Sequence, residues 1–441
     1  MPTDTHDFQV VAIAHLLDGD DVLLITATGS GKTDAFIRLM HVVQALSEDS
    51  RNLLGISFPR DPAMILVCPT KALEGEMEGK MRDAQLTALA INSDTVEAAR
   101  KEGKDLFKEV LTGITMVLVS PEELASKGFE FVLHDKQFSK RVCMMAVDES
   151  HLLILWGMGF RTAFQQIGWM RSRLRRKVPL LAVTATLRAG APTEQVCKFL
   201  GFQPGQYHIL RRSNMRHDIQ LIFRVMQSGL GAVKFPELDW ILEGQRRTLI
   251  FCKTIFLGFR VDVYLWHKIA HDPHRAKRIR MFNALNDKSY NDQTLAYWKA
   301  NDPSAQIIIA TSILSVGIDA PTFDDVVIFG EPDDSDEYWQ EIGRLRHMKS
   351  NGPRGILYAT KGAATRAAEV IDAQAGSERK GSRAAGALQM QVSMAELLMA
   401  DCIVKKLDQL YDNPSDEASC TCTFCAAHPR APQKAQCDCS G

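Results

Sequence analysis

A short apolar run, a glycine-rich turn and a helix start, read in that order from Val22, constrain this chain more tightly than anything else in it. VLLI at 22–25 has the character of a buried strand, and TATGSGKT follows at once, from Thr26 to Thr33. In such a turn Thr28, Gly29, Ser30 and Gly31 let backbone N–H groups close around phosphate oxygens. Lys32 reaches the outer phosphates, and the Thr33 hydroxyl ligates Mg²⁺ at a helix N-terminus. A second polar turn, DESH from Asp148 to His151, follows another apolar run, MMAV. Asp148 can hold the same metal, directly or through water, while Glu149 polarises the attacking water. Either stretch alone has a plain structural reading, as a turn or as a solvated acidic pair. In this order, each behind a strand-like run, they describe a site that hydrolyses a nucleotide.

Apolar runs recur between amphipathic stretches. In the first part they are Val22 to Ile25, Ile65 to Val67, Met116 to Val119, Val142 to Val147 and Leu180 to Val183. After the polar segment RRSNMRHD, Arg211 to Asp218, come Thr248 to Phe251, Ile307 to Ala310, Val326 to Phe329 and Gly355 to Tyr358. The pattern predicts an α/β chain of two parallel-sheet domains, over 1–212 and 213–365, with polar motifs outside the carboxyl ends of the strands. The Ala-, Gly-, Ser- and Lys/Arg-rich segment from Lys361 to Gly386 reads as a helix followed by a flexible linker, the linker region being set at 366–393. A helix over Met394 to Leu410 and a cysteine-rich tail complete a module over 394–441.

With 441 residues and 46% hydrophobic content, the chain can bury two sizeable cores and a smaller appendage. Its formal net charge is −1, so nucleic-acid binding has to come from local basic patches. Two runs offer themselves: Arg171, Arg173, Arg175, Arg176 and Lys177, and Arg275, Lys277, Arg278 and Arg280; each also reads as a solvated helix face. No apolar stretch reaches the roughly 18 residues of a membrane span, and MPTDTHDFQ lacks an apolar signal region, so a soluble, intracellular protein without membrane partners is expected. That means the nucleus in a eukaryote and the cytoplasm or nucleoid otherwise. Cys68, Cys143, Cys197 and Cys252 lie in apolar segments and read as small core residues, whereas Cys402, Cys420, Cys422, Cys425, Cys437 and Cys439 crowd the tail.

With these motifs in place the chain resembles the superfamily 2 helicases, and most closely the RecQ family of ATP-dependent DNA helicases. Gln9 precedes Lys32 at the spacing where that family reads the adenine edge. PTKAL, with Pro69, Thr70 and Lys71, and SPEEL, with Ser120 and Pro121, stand where the family contacts the DNA backbone. LAVTATL, with Thr184, Ala185 and Thr186, resembles the segment that couples hydrolysis to domain movement, and TLIFCKT resembles motif IV. ATSILSVGIDAP, with Thr311, Gly317 and Asp319, resembles motif V, and WQEIGRLRH, with Gln340, Gly343 and Arg344, resembles motif VI. After DESH, LLILWGMGFRTAF places Trp156, Gly157, Phe160 and Arg161 as in the aromatic-rich loop of the family. There a Trp or Phe stacks on a splayed base and Arg161 pairs with phosphate. The alternative is a core stripe of Trp156 and Phe160 at helical spacing.

The resemblance implies two RecA-like domains that use ATP and Mg²⁺, closing on the nucleotide between Lys32, Thr33, Asp148 and Glu149 of one and Arg344 of the other. A small helical zinc-binding subdomain would follow, in which Cys402, Cys420, Cys422 and Cys425 hold a structural Zn²⁺. The first gap of the tail cluster is C-x-C instead of C-x2-C, so Cys437 and Cys439 stand as substitute ligands. The aromatic that the family stacks on adenine is unmatched ahead of Phe8, and the winged-helix and helical C-terminal domains of the family are unmatched after the cysteines. Motif VI of the family runs Q-x-x-G-R-x-G-R; here His347 holds the last position and Arg346 the small one. A histidine with a reference pKa of about 6.5 supplies no fixed charge at neutral pH. Either Arg346 reaches the phosphate from a shifted position, which its long fork favours, or hydrolysis is slow.

The activity so implied is an ATP-dependent 3′ to 5′ DNA helicase that moves on single strands and unwinds duplex or branched DNA, in repair or recombination. DESH alone also suits a DEAH-like RNA helicase, though the aromatic loop and the cysteines point to DNA. The third reading is a hydrolytically weak nucleic-acid-binding protein derived from a helicase.

Overall fold

The computed structural model describes residues 5–49, 57–157, 167–174, 177–311, 322–345, 352–380, 390–415 and 436–438. They fall into two compact units that divide between Asn214 and Met215, inside the polar segment RRSNMRHD.

Among the described residues the first unit is built on a seven-stranded sheet of order β3-β4-β2-β5-β6-β1-β7, with every pair parallel. Its strands are β1 (Asp21–Ile25), β2 (Ala63–Val67), β3 (Ala88–Ile91), β4 (Met116–Val119), β5 (Val142–Val147), β6 (Leu180–Thr184) and β7 (Tyr207–Arg211). Helices cover both faces, so the central strands are apolar at every position and not only at alternate ones. Period-2 alternation then divides each strand between two cores. Leu23, Ile65, Val117, Met145 and Ala182 enter one core, while Val22, Leu24, Met64, Leu66, Leu118, Ala146 and Leu181 enter the other.

The second unit repeats the plan, with parallel order β10-β11-β9-β12-β13-β8-β14. Its strands are β8 (Gln220–Val225), β9 (Thr248–Cys252), β10 (Ile279–Phe282), β11 (Ile307–Ala310), β12 (Asp325–Phe329), β13 (Arg354–Ala359) and β14 (Gln436–Asp438). Ile250, Ile309, Val327, Phe329 and Ile356 form its core with Phe235 and Leu265.

Three expectations change. The helix expected after Lys361 runs over Ala363–Lys380 and so takes in the first part of the region set as linker, 366–393, because AATRAAEVIDAQAG is rich in strong helix formers. The helix expected over Met394 to Leu410 is two, Val392–Leu398 and Ile403–Tyr411, and up to Leu410 both belong to the second unit instead of a module of their own. The basic runs are largely spent inside the protein. Arg171 pairs with Asp21, Arg173 with Glu130, Lys277 with Asp302 and Arg278 with Asp272, while Arg280 is buried and its Nε donates to Thr294. Arg175 and Arg176 lie outside the described residues.

The Arg171–Asp21 pair fixes the base of β1. Asp21 is almost wholly buried; its Oδ2 accepts from Arg171 at 2.7 Å and its Oδ1 from the Leu180 N–H at 3.0 Å. Removing one member of a buried pair leaves the other charge uncompensated, a loss of about 3–5 kcal/mol. Asp21→Ala should therefore lower the unfolding free energy of the first unit, taken from a denaturant titration, by that amount. A loss below about 1 kcal/mol, the worth of an exposed pair, would show that Arg171 finds water instead.

Candidate nucleotide and nucleic-acid site

The chemistry-bearing turns of the first unit leave the carboxyl ends of neighbouring strands. The glycine-rich turn follows β1, DESH follows β5, and β6, which lies between them, ends at Thr184. At about 4.8 Å per strand, β1 and β5 are only about 10 Å apart there.

Gly29 and Gly31 hold left-handed φ values of 83° and 92°, conformations that a side chain would strain. Gly31 caps helix α2 (Lys32–Glu48), whose first N–H groups face the turn. The Lys32 ammonium bends back on the turn and donates to the Ala27 carbonyl at 3.2 Å and the Thr26 carbonyl at 3.4 Å. Ser30 Oγ is buried and makes no hydrogen bond among the described residues. An open ring of donors, a lysine and an orphaned hydroxyl suit a polyphosphate.

Gln9 sits on helix α1 (Asp7–Leu17) and is fully buried. Its Nε2 donates to the Gly31 carbonyl at 2.9 Å, and its Oε1 accepts from the His6 N–H at 3.0 Å. The amide expected to read adenine thus ties α1 to the phosphate-binding turn. A Cβ on Gly31 would stand 3.0 Å from Gln9 Nε2 and 3.6 Å from His6 Cδ2. Sequence reasoning missed His6; its signal was the position three residues before Gln9, where a helix start pairs the two.

At the end of β5, Asp148 is buried and accepts the Glu149 N–H at 2.8 Å on Oδ1, which holds Glu149 at a left-handed φ of 47°. Burial pushes the Asp148 carboxyl up to about 7, Glu149 adds to this, and Lys32 opposes it. A buried carboxyl raised in this way, with a lysine and the Thr33 hydroxyl on the facing turn, fits a divalent cation, and Asp148 with Thr33 would hold Mg²⁺ beside the phosphates. Such an ion neutralises phosphate charge. Glu149 Oε2 is buried, lies 3.4 Å from His151 Nδ1 and makes no hydrogen bond among the described residues, so it can accept from water. The same His151 nitrogen lies 2.8 Å from Thr184 Oγ1, which accepts the Thr186 N–H at 3.3 Å. DESH and the TAT segment are therefore linked through side chains.

Two domain descriptions match the chain: DEAD/DEAH box helicase over residues 6–194 and helicase conserved C-terminal domain over 233–349. Together they give the chain both domains of a helicase core. The ATP-dependent DNA helicase RecQ of Haemophilus influenzae is 24% identical over 342 residues, which is 76% of this chain and 48% of that protein. RecQ of Pasteurella multocida is 24% identical over 76% of this chain and 47% of its own. A mimivirus protein named for ATP-dependent RNA helicase activity is 24% identical over 80% of this chain and 57% of its own. This helicase thus spans about half the length of the curated relatives it matches. Among solved structures, the Lhr helicase of Mycobacterium smegmatis, bound to single-stranded DNA and AMP-PNP, superposes with a TM-score of 0.60 at 19% identity, covering 84% of this chain and 48% of that one. A DEAD-box helicase bound to single-stranded RNA gives 0.60 at 17%, covering 83% and 72%. Both share the two-domain α/β fold. Among the described residues, no helix is long and apolar enough to cross a membrane.

The residues assigned to the nucleic-acid backbone leave β2 and β4 on the same edge of the helicase sheet. Thr70 caps helix α3 (Lys71–Asp83) and accepts the Leu73 N–H at 3.3 Å; Ser120 is buried and caps the turn Pro121–Leu124, accepting the Glu123 N–H at 3.2 Å. Pro69 and Pro121 are buried as well, and exposed Lys71 pairs with Asp94 at 2.6 Å. The side chains at these positions therefore shape the backbone, and Lys71 is the charged group that faces solvent. Trp156 falls in a helix, Leu152–Gly157, and not in a loop; its side chain, like Phe160 and Arg161, lies outside the described residues. In the second unit Thr311 directly follows β11, Gln340 lies on the helix Ser335–Ile342, and buried Arg344 comes just after it. Cys402 precedes the helix Ile403–Tyr411. Gly317, Asp319, Arg346, His347, Cys420, Cys422, Cys425 and Cys439 lie outside the described residues, and Cys437 is described by its strand backbone alone.

One site-adjacent group escaped the sequence. Glu74, in the first turn of α3, is fully buried; Oε2 accepts from Asn92 Nδ2 at 2.7 Å and Oε1 makes no hydrogen bond among the described residues. Burial pushes its carboxyl up to about 8, against the pull of the Asn92 bond. The folded helicase then keeps a proton that the unfolded chain releases near pH 4.5, so stability falls as pH rises from there to about 8, at up to about 1.4 kcal/mol per pH unit. Glu74→Gln, which mimics the protonated form, should flatten this decline and raise the melting temperature most at pH 8.5. An equal pH slope in both proteins would show that Glu74 is ionised when folded.

Proposed function

We propose that the protein is an ATP-dependent 3′ to 5′ DNA helicase that translocates on single strands and unwinds duplex or branched DNA, in the service of repair or recombination. The observation that carries the ATPase part is the joining of the phosphate-binding turn after β1 and DESH after β5 on one sheet edge, with Glu149 Oε2 buried there and without a hydrogen bond among the described residues. The glycine-rich turn and Lys32 grip the phosphates, Asp148 and Thr33 hold the metal, and Glu149 takes the proton of the attacking water. The DNA part is supported by the resemblance to RecQ proteins of two bacteria. The relative named for RNA helicase activity favours a second reading, unwinding of RNA. In the DNA reading Trp156 and Phe160 stack on bases, Arg161, Lys71 and Thr311 meet the backbone, and selection is by structure and strand.

ATPase turnover measured with single-stranded DNA and with RNA on one preparation separates the two. Stimulation by DNA alone is expected. Lys32→Ala should abolish hydrolysis, and Glu149→Gln should bind ATP yet turn over about 10²- to 10⁴-fold more slowly; parent-like turnover by Glu149→Gln would remove it from the role of base.

Gln340, Arg344 and Arg346 are assigned to hydrolysis, Arg346 as a displaced arginine finger, with Gly317 and Asp319 on the nucleotide. Arg346→Ala should then cost at least about 100-fold, a floor below the roughly 10³ to 10⁵ that such fingers contribute, and His347→Ala little. Full turnover by Arg346→Ala would rule out the displaced finger, and a parent unresponsive to DNA and RNA alike would favour a hydrolytically weak binding protein. A structural Zn²⁺ on Cys402, Cys420, Cys422 and Cys425 is part of the same proposal. Its test is loss of zinc, and of tail protection from proteolysis, in Cys402→Ser and Cys425→Ser.

A further inference from the structure

On the opposite edge of the first sheet from the nucleotide turn, three side chains with metal-ligating atoms converge. His15 lies in the last turn of α1, Asp20 in the turn before β1, and His208 on the edge strand β7, opposite Val22. Their ligand atoms all lie within 4.8 Å of one another, and His208 Nε2 is already 3.1 Å from Asp20 Oδ2. Bonds of about 2.0–2.1 Å at tetrahedral angles bring ligand atoms to about 3.3 Å from one another, so the group closes by up to about 1.5 Å to hold an ion. The two imidazoles stack with centroids 3.6 Å apart at 18°; a ring binds an ion in its own plane, so both reach one ion only when the His15 ring turns out of this stack. Neutral imidazole is the metal-binding form.

The group is also held ready. Gly19 takes a left-handed φ of 90°, turning the chain so that the Asp20 N–H donates to the His15 carbonyl at 3.0 Å. Val22 and His208 are in register on parallel strands, so His208 cannot slide against the Asp20 turn. The side chains of Asp20 and His208 are about a third and two-fifths exposed, which leaves a coordination position for water. Two imidazoles and a carboxylate form an N₂O set that suits Zn²⁺ and its first-row neighbours, not Mg²⁺.

We propose that His15, Asp20 and His208 form a site for a Zn²⁺-class divalent cation, separate from the nucleotide and from the cysteine-rich tail. The ion would join the last turn of α1 to the β1 turn and the edge strand. The site needs no ATP and no nucleic acid.

The test is metal titration of the full chain, with Co²⁺ as the probe and Zn²⁺ as competitor. Expected is one equivalent of Co²⁺ showing ligand-field bands without thiolate charge-transfer absorbance, the signature that sets it apart from any ion on the tail cysteines. Zn²⁺ should displace it and raise the melting temperature of the first unit. Loss of an outer-shell partner weakens metal sites by about 10- to 100-fold, so loss of a ligand in His208→Asn or the near-isosteric Asp20→Asn should weaken this equivalent by at least about 100-fold. Metal-free melting of the variants reports whether they fold, and the Asp20 variant keeps the test open should loss of His208 disturb β7. The proposal is overturned if all bound Co²⁺ carries the thiolate signature, or if folded Asp20→Asn and His208→Asn bind it as the parent does.

Discussion

Strand β6 runs between β5 and β1, hydrogen-bonded in parallel to both, and the polar chemistry of the first unit depends on that order. Parallel strands point all their carboxyl ends one way, so turns far apart in sequence emerge side by side. The Thr26 N–H bonds to the Thr184 carbonyl at 3.1 Å and the Ser150 N–H to the Val183 carbonyl at 2.9 Å, so the glycine-rich turn and DESH are both anchored to β6. A slip of one residue in β6 would exchange Leu181 and Ala182 between the two cores, and the hydrophobic division of the strand forbids it. The register that packs the cores thus also sets the distance from Lys32 to Asp148.

Burial has opposite uses at the two raised carboxyls. Asp148 and Glu74 are both withdrawn from water, and both are pushed far above the usual carboxylate range, mainly by burial. Asp148 faces Lys32 and the open turn, so a cation arriving with a nucleotide can restore its charge. Glu74 has an amide partner, and Glu122 and Glu123 nearby oppose its ionisation. The first is poised for an ion, and the second behaves as a neutral strut between α3 and the turn at Asn92.

The central strands were legible because they are buried on both faces and read as unbroken apolar runs. β3, β7, β8, β10 and β14 were not, since ALAI and QCD are short edge strands and YHILR, QLIFRV and IRMF mix polar residues into half-covered or short strands. The turn chemistry was legible too: Gly29, Gly31, Lys32 and Asp148 stand where their types suggest. Their partners were not, because a sequence shows that Gln9 is polar and not which acceptor it meets. The basic runs misled for the same reason. Arg171, Arg278 and Arg280 look like a nucleic-acid surface until Asp21, Asp272 and Thr294 are found against them. Thr70 and Ser120 fell between the two cases, correctly placed at the sheet edge but engaged as helix caps.

Helix α1 shows how such hidden partners connect parts of the unit. At its start Asp7 pairs with Arg212 at 3.1 Å and the Arg212 guanidinium lies over the Phe8 ring; one residue on, Gln9 grips Gly31. At its end His15 stacks on His208 of β7. The two ends are about 9 Å apart along the axis, at 1.5 Å per residue. A helix pinned at both ends moves as one rigid piece, and the space between Gln9 and Gly31 is too tight to absorb such a movement. Displacement of the last turn of α1 would therefore reach the glycine-rich turn through the Gln9 amide, with no residue of that turn altered. This gives α1, which contributes none of the phosphate-binding residues, a hold on the shape of the turn that does.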